Sequence, residues 1–187
     1  MDSFVLQQPM TRKIAASPIV LLVLIACGCA DHARTAPSPK PKTATTMTPL
    51  ERISERVNRH GDVNDPATIR PLLTLSEFFD GNDDFGSIGC NLSPPPGPAK
   101  FYEMLKSILE RSDVADVRVQ ITMFDDPEAW PFSDTVWIIT SANPQTVAGW
   151  FDGSIRPDEC SSGWTDGLLF EHVPLPEGMR AVACMWD

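Results

Sequence analysis

Hydrophobic positions in this chain change their spacing from segment to segment, and each change marks an element. Residues 19–25 (Ile-Val-Leu-Leu-Val-Leu-Ile) form an unbroken apolar run. Leu50, Ile53 and Val57 then recur at helical spacing. They follow Thr48-Pro49-Leu50-Glu51, a capping box with Thr as N-cap, Pro at the first helical position and Glu at the third. With Gly61 as a C-terminal cap, an amphipathic helix is expected over residues 49–60. Phe101, Leu105, Ile108 and Leu109 mark a second helix over 98–111. Val117, Val119, Ile121 and Met123 alternate with Arg118, Gln120 and Thr122, the pattern of a half-buried strand. Residues 135–141 are a second β-rich run. Asn143-Pro144 opens a helix carrying Val147, Trp150 and Phe151, and residues 179–186 read as a final strand. Upstream, residues 76–79 predict a short capped helical turn and residues 86–92 a short strand.

This order, β-α-β-β-α-β, predicts an α+β fold with an antiparallel-rich sheet and helices on one face, a ferredoxin-like arrangement. Residues 67–187 are long enough for one independent core. The segment between the apolar run and the first helix has another character. Residues 33–49 (ARTAPSPKPKTATTMTP) hold four Pro and five Thr. They predict an extended linker reaching on the order of 50 Å at about 3.1 Å per residue. The expected organisation is therefore a leader over 1–26, a tether over 27–48, a helix over 49–60 and a domain over 67–187.

The apolar run is too short to span a bilayer, which takes about 20 apolar residues. Behind Arg12 and Lys13 it has the form of a secretory signal. Leu24-Ile25-Ala26-Cys27 resembles the lipobox of bacterial lipoproteins. That resemblance implies cleavage before Cys27 and lipidation of its thiol and of the new N-terminus. Triple acylation of this kind makes a stable membrane anchor. Gly28 rather than Asp after the Cys implies export to the outer membrane, with the domain facing the periplasm. A start at Met10 would give a more compact signal than the full N-terminus.

Charge sharpens the division. The chain carries 15 Lys and Arg against 25 Asp and Glu, a net of −10. Residues 31–60 hold six basic and three acidic groups, a net of +3, whereas residues 67–187 hold seven and nineteen, a net of −12. Nucleic-acid binding is excluded as a reading, since neutralising phosphates needs clustered Lys and Arg.

If Cys27 is lipidated, Cys29, Cys90, Cys160 and Cys184 remain in a compartment that permits disulfides. Four cysteines allow three pairings. Cys160, in a loop rich in Ser and Gly, is expected to pair with Cys184, a bridge worth about 3 kcal/mol. Cys90 is expected to be a buried thiol on the strand with Ile88 and Leu92.

Tests for chemistry give little. Asp80, Asn82 and Asp84 begin like a calcium loop, but Phe85 stands where the sharp-turn Gly belongs and Asn91 where the bidentate Glu belongs. An Asx-rich turn is the better reading. There is no GxSxG elbow, no HExxH and no phosphate-cradling Gly loop, so no catalytic residue and no cofactor is expected. Trp130 and Trp164 fall in predicted loops, Trp130 just after Asp125-Asp126-Pro127-Glu128. Loop Trp beside carboxylates is a composition suited to a binding surface; the competing reading makes each Trp a lid over the sheet. Residues 77–91, together with Trp130-Pro131-Phe132-Ser133-Asp134-Thr135-Val136, resemble a module of bacterial proteins with no assigned activity.

The leading functional expectation is a lipid-anchored periplasmic protein that binds a protein partner, in its most concrete form an immunity or inhibitor protein against a basic toxin. Asp125, Asp126, Glu128, Trp130 and Trp164 are its candidate contact residues. The alternatives are a carboxylate-dependent envelope hydrolase and an accessory lipoprotein docked through the helix at 49–60.

Overall fold

The computed structural model describes residues 46–187. The first helix, α1 (Pro49–Val57), starts at the expected capping box: the Thr48 hydroxyl accepts the Glu51 N–H at 3.2 Å, and the Thr48 N–H donates to the Glu51 carboxylate at 2.7 Å. A 3-10 turn (Asn58–His60) follows, then β1 (Leu72–Thr74), α2 (Leu75–Phe79) and α3 (Pro98–Leu109). The chain continues through β2 (Val114–Gln120), β3 (Thr135–Thr140), α4 (Pro144–Ala148), β4 (Glu159–Ser162) and β5 (Arg180–Met185). No helix among the described residues is long and apolar enough to cross a membrane.

The five strands form one sheet in the order β1-β2-β3-β5-β4, every neighbouring pair antiparallel. The α+β class is as expected, with the named helices packed on one face. Likeness to the ferredoxin-like arrangement lies in the order of elements. A split βαβ sheet contains a parallel pair, and this sheet has none between its strands.

Central β3 is buried at all six positions because both faces of the sheet are covered. On the helical face Val136 and Ile138 join Phe78, Phe101, Leu105, Ile108, Val147 and Val182 in the main core. Ile53 and Val57 enter the same core, so α1 belongs to the domain and its apolar stripe is already occupied. Residues 46–187 accordingly fall within one unit. On the other face Trp137 and Ile139 pack with Leu72, Ala181, Ala183 and Val173. The cover there is a loop between β4 and β5 that contributes Trp164, Phe170 and Val173. The Trp137 indole N–H donates to the Gln120 side-chain oxygen at 2.9 Å, which satisfies the polar atom of the largest fully buried side chain.

Three expectations are corrected. Residues 86–92 form no strand; Ile88 makes a single bridge to Ser133, and Cys90 is exposed. The cause is local. Asx turns around Asn82 and Asp84 and the left-handed Gly89 (φ 60°) bend the backbone away from an extended path. The first strand is instead β1, and the polar segment Glu-Cys-Ser-Ser forms the edge strand β4 where a loop was expected. Finally, α4 stops at Ala148, so Trp150 and Phe151 lie in the turn after it.

Candidate functional site

The β2–β3 connection is built as a hairpin extension with a hydrogen-bonded tip. Met123 and Phe132 bridge across its base, with Phe132 N–H donating to Met123 O at 2.9 Å. Asn64 holds one side of the tip through two bonds, its amide donating to Phe124 O and its oxygen accepting from Phe124 N, both at 3.1 Å. Asp126 closes an Asx turn by accepting the Glu128 N–H at 2.9 Å. Trp130 then folds inward: its indole N–H donates to Phe78 O at 2.9 Å and its ring packs against the main core.

A second loop meets this one. The Asp80 turn is pressed against the start of α1 at Gly81, where φ is 83° and an added Cβ would stand 2.6 Å from the Pro49 side chain. Only glycine fits both the conformation and the gap. The result is a groove of about 420 Å³ whose walls are Thr48, Pro49 and Leu50, Asp83 and Asp84, and Glu128 to Trp130. Asp83 and Glu128 are exposed, Asp84 half-buried, and no Lys or Arg lines the groove. Pro49, Leu50 and Trp130 supply apolar lining, and Asp83 and Asp84 on one loop and Glu128 on the loop of Trp130 supply carboxylates. Such a groove suits a cationic side chain whose stem is apolar and whose head is charged.

The expected contact residues are thus partly gathered. Glu128 and Trp130 line the groove; Asp125 and Asp126 lie on the same loop, both exposed, Asp126 shaping the turn. Trp164 is elsewhere. It stacks on Trp137 at 4.6 Å and on Phe170 at 5.6 Å, against the opposite face of the sheet. It covers that face as a lid, away from the groove beside Trp130.

The calcium-like residues have other work. Asp80 pairs with Arg52 at 2.8 Å, the Asn82 oxygen accepts the Asp84 N–H, and Asp84 accepts the Gly86 N–H. No group of three or more His, Cys, Asp or Glu among the described residues is placed to hold a metal ion. Cys160 and Cys184 stand opposite each other across β4 and β5, with their sulfurs 3.3 Å apart. Cys27, with the leader and most of the tether, lies outside the described residues.

A polar cluster not foreseen from the sequence sits at the β1 edge. The Arg56 guanidinium bonds both oxygens of Glu171, at 2.8 and 2.5 Å, and reaches Glu77 at 3.0 Å. His60 and the Leu72 N–H complete the shell around Glu171, at 2.8 and 3.1 Å. Burial pushes the Glu171 carboxyl upward, yet the Arg56 bonds, the Leu72 N–H and His60 outweigh it and hold the pKa at about 2, below the ordinary 4.5. This cluster ties α1, β1 and the 163–179 loop together. Its members are up to 115 positions apart, so no local pattern in the chain marks them.

A family model described as "Uncharacterized protein YfbO family" matches residues 48–184. The chain belongs to this family. The match opens at Thr48, the N-cap of α1, and closes at Cys184 in β5, so it takes in every residue of the groove. Among YfbO relatives, the Uncharacterized protein YfbO of Escherichia coli (strain K12) is 50% identical over 141 residues, which is 75% of this chain and 100% of that relative. No solved structure matches the chain. The bacterial module that residues 77–91 and 130–136 resemble is consistent with this family.

Proposed function

We propose that this YfbO-family chain is a lipid-anchored periplasmic protein that captures a basic segment of a protein partner in the groove beside Trp130. The observation that carries the reading is the lining of that groove: carboxylates from two loops share it with Trp130 and Leu50, with no cationic side chain among them. The surrounding charge favours the same partner, since residues 67–187 have a net of −12 and would steer a basic surface inward. An immunity or inhibitor protein that plugs the cationic active-site region of a periplasm-acting toxin is the most concrete form of this function. Anchoring would come from Cys27 in the lipobox-like Leu24-Ile25-Ala26-Cys27.

Two experiments test the parts separately. For the groove, a fluorescent Arg- and Lys-rich peptide is titrated onto the full chain. Binding should weaken at least about tenfold in Glu128→Lys/Asp84→Lys, corresponding to about 1.4 kcal/mol or more. It should also weaken with salt, while a neutral peptide of the same length does not bind. Equal affinity for the wild-type chain and the double variant would remove the groove from consideration. For the anchor, metabolic labelling with palmitate should mark the wild-type chain and leave Cys27→Ser unlabelled and released from membranes. Labelling that persists in Cys27→Ser would refute lipidation at that residue.

A further inference from the structure

We infer that Cys160 and Cys184 are a disulfide-forming pair that staples the base of the 163–179 loop. The argument begins with register. β4 and β5 pair antiparallel with Cys160 opposite Cys184 and Ser161 opposite Ala183. The Gly163 N–H donates to Ala181 O at 3.0 Å, which makes that opposition a hydrogen-bonded one. Hydrogen-bonded and open pairs alternate along an antiparallel ladder. Ser161 and Ala183 are therefore a bonded pair, and Cys160 and Cys184 an open one. At open pairs the Cα atoms approach to about 4.5 Å, within the span of a disulfide, so the bond needs no change in pairing. Both thiols point to the helical face, where Cys184 is buried in the main core and Cys160 is half-buried against it.

The bond would close a segment with little structure of its own. Between β4 and β5 the chain makes no helix or strand, yet it supplies Trp164, Phe170 and Val173 to the second core and Glu171 to the Arg56 cluster. Crosslinking the two stems removes loop-closure entropy from the unfolded chain and limits how far the loop can lift from the sheet.

The reaction is thiol–disulfide exchange with a small-molecule disulfide such as oxidised glutathione. The half-buried Cys160 is the accessible member. Its thiolate attacks one sulfur of the reagent, the reagent's S–S bond breaks, and one glutathione leaves. Cys184 then loses its proton and attacks the Cys160 sulfur, expelling the second glutathione. Two protein thiols are oxidised, one glutathione disulfide is reduced to two thiols, and the protein's two protons end on them.

The test uses the full chain, equilibrated with oxidised or reduced glutathione, alkylated with N-ethylmaleimide and mapped without reduction. The expected result is a linked peptide pair joining Cys160 to Cys184, with Cys90 alkylated. Thiol reduction should lower the thermal midpoint of the oxidised protein by roughly 10 °C. The Cys160→Ala/Cys184→Ala variant should show no response to reduction. Amide exchange over residues 164–173 should be slower in the oxidised form. Alkylation of Cys160 after full oxidation, its linkage to Cys90 or to an upstream cysteine, or unchanged exchange in the loop would overturn the inference. Peptide binding at the groove is read by a different experiment, so failure of one leaves the other standing.

Discussion

At Gly89 a single added methyl group has nowhere to go. The residue sits at φ 60°, and a Cβ there would stand 2.5 Å from the ring of Phe101, itself fully buried in the main core. Left-handed backbone and overpacking both penalise a side chain at this point. Gly89→Ala is expected to lower the free energy of unfolding by about 2–4 kcal/mol, read from urea denaturation. A loss within experimental error would mean that Phe101 can yield. Trp130 makes a smaller and separable contribution. Trp130→Phe keeps an aromatic ring in the groove wall but deletes the donor to Phe78 O. The expected cost is about 1 kcal/mol of stability, with the peptide-binding constant changing less than in Glu128→Lys/Asp84→Lys. Equal losses of binding in the two variants would place the recognition energy in the indole rather than in the carboxylates.

Elements differ in how plainly the chain announces them, and length explains the difference. Helix α1 carries a complete capping box, α3 has Phe101, Leu105 and Ile108 on one stripe, and β2 alternates over seven residues; each repeats its period often enough to be read. Strands β1 and β4 have three and four residues, too few to show a period, and β4 is polar because it lies at the sheet edge. The candidate site divides in the same way. The Asp125–Trp130 loop was legible as acidic and aromatic, whereas its meeting with Asp83 and Asp84 depends on how Gly81 packs on Pro49, a tertiary contact with no local trace. Glu171 stands in a segment with no readable period, yet it clamps three elements. Because its folded pKa is about 2, below the ordinary 4.5, its contribution is present in full above about pH 4.5 and fades as pH falls toward 2. The Glu171 side chain is 17% exposed, so solvent screens part of the interaction. Glu171→Gln is expected to cost about 2 kcal/mol at pH 7, and the gap between variant and wild type should narrow steadily below pH 4.5. A gap that stays constant from pH 7 to pH 3 would show that the clamp acts through shape and not through charge.

At the scale of the molecule, the sheet separates two acidic surfaces that would serve a basic partner differently. Asp83, Asp84 and Glu128 lie at the groove, on the side of the main core. Asp166 and Glu177 are exposed on the 163–179 loop, which covers the other face. Coulomb attraction extends about 8–10 Å at physiological salt, so remote carboxylates act on the encounter, while those in contact also hold the bound state. Asp166→Lys/Glu177→Lys should therefore slow association with the basic peptide at low salt and leave its dissociation rate unchanged. Glu128→Lys/Asp84→Lys should speed dissociation as well, and that effect should survive at high salt. Stopped-flow fluorescence at two ionic strengths separates the rates. If both pairs of substitutions changed association alone, the acidity of the domain would attract basic partners without a site to retain them, and the groove would have to be given up as the place where the partner docks.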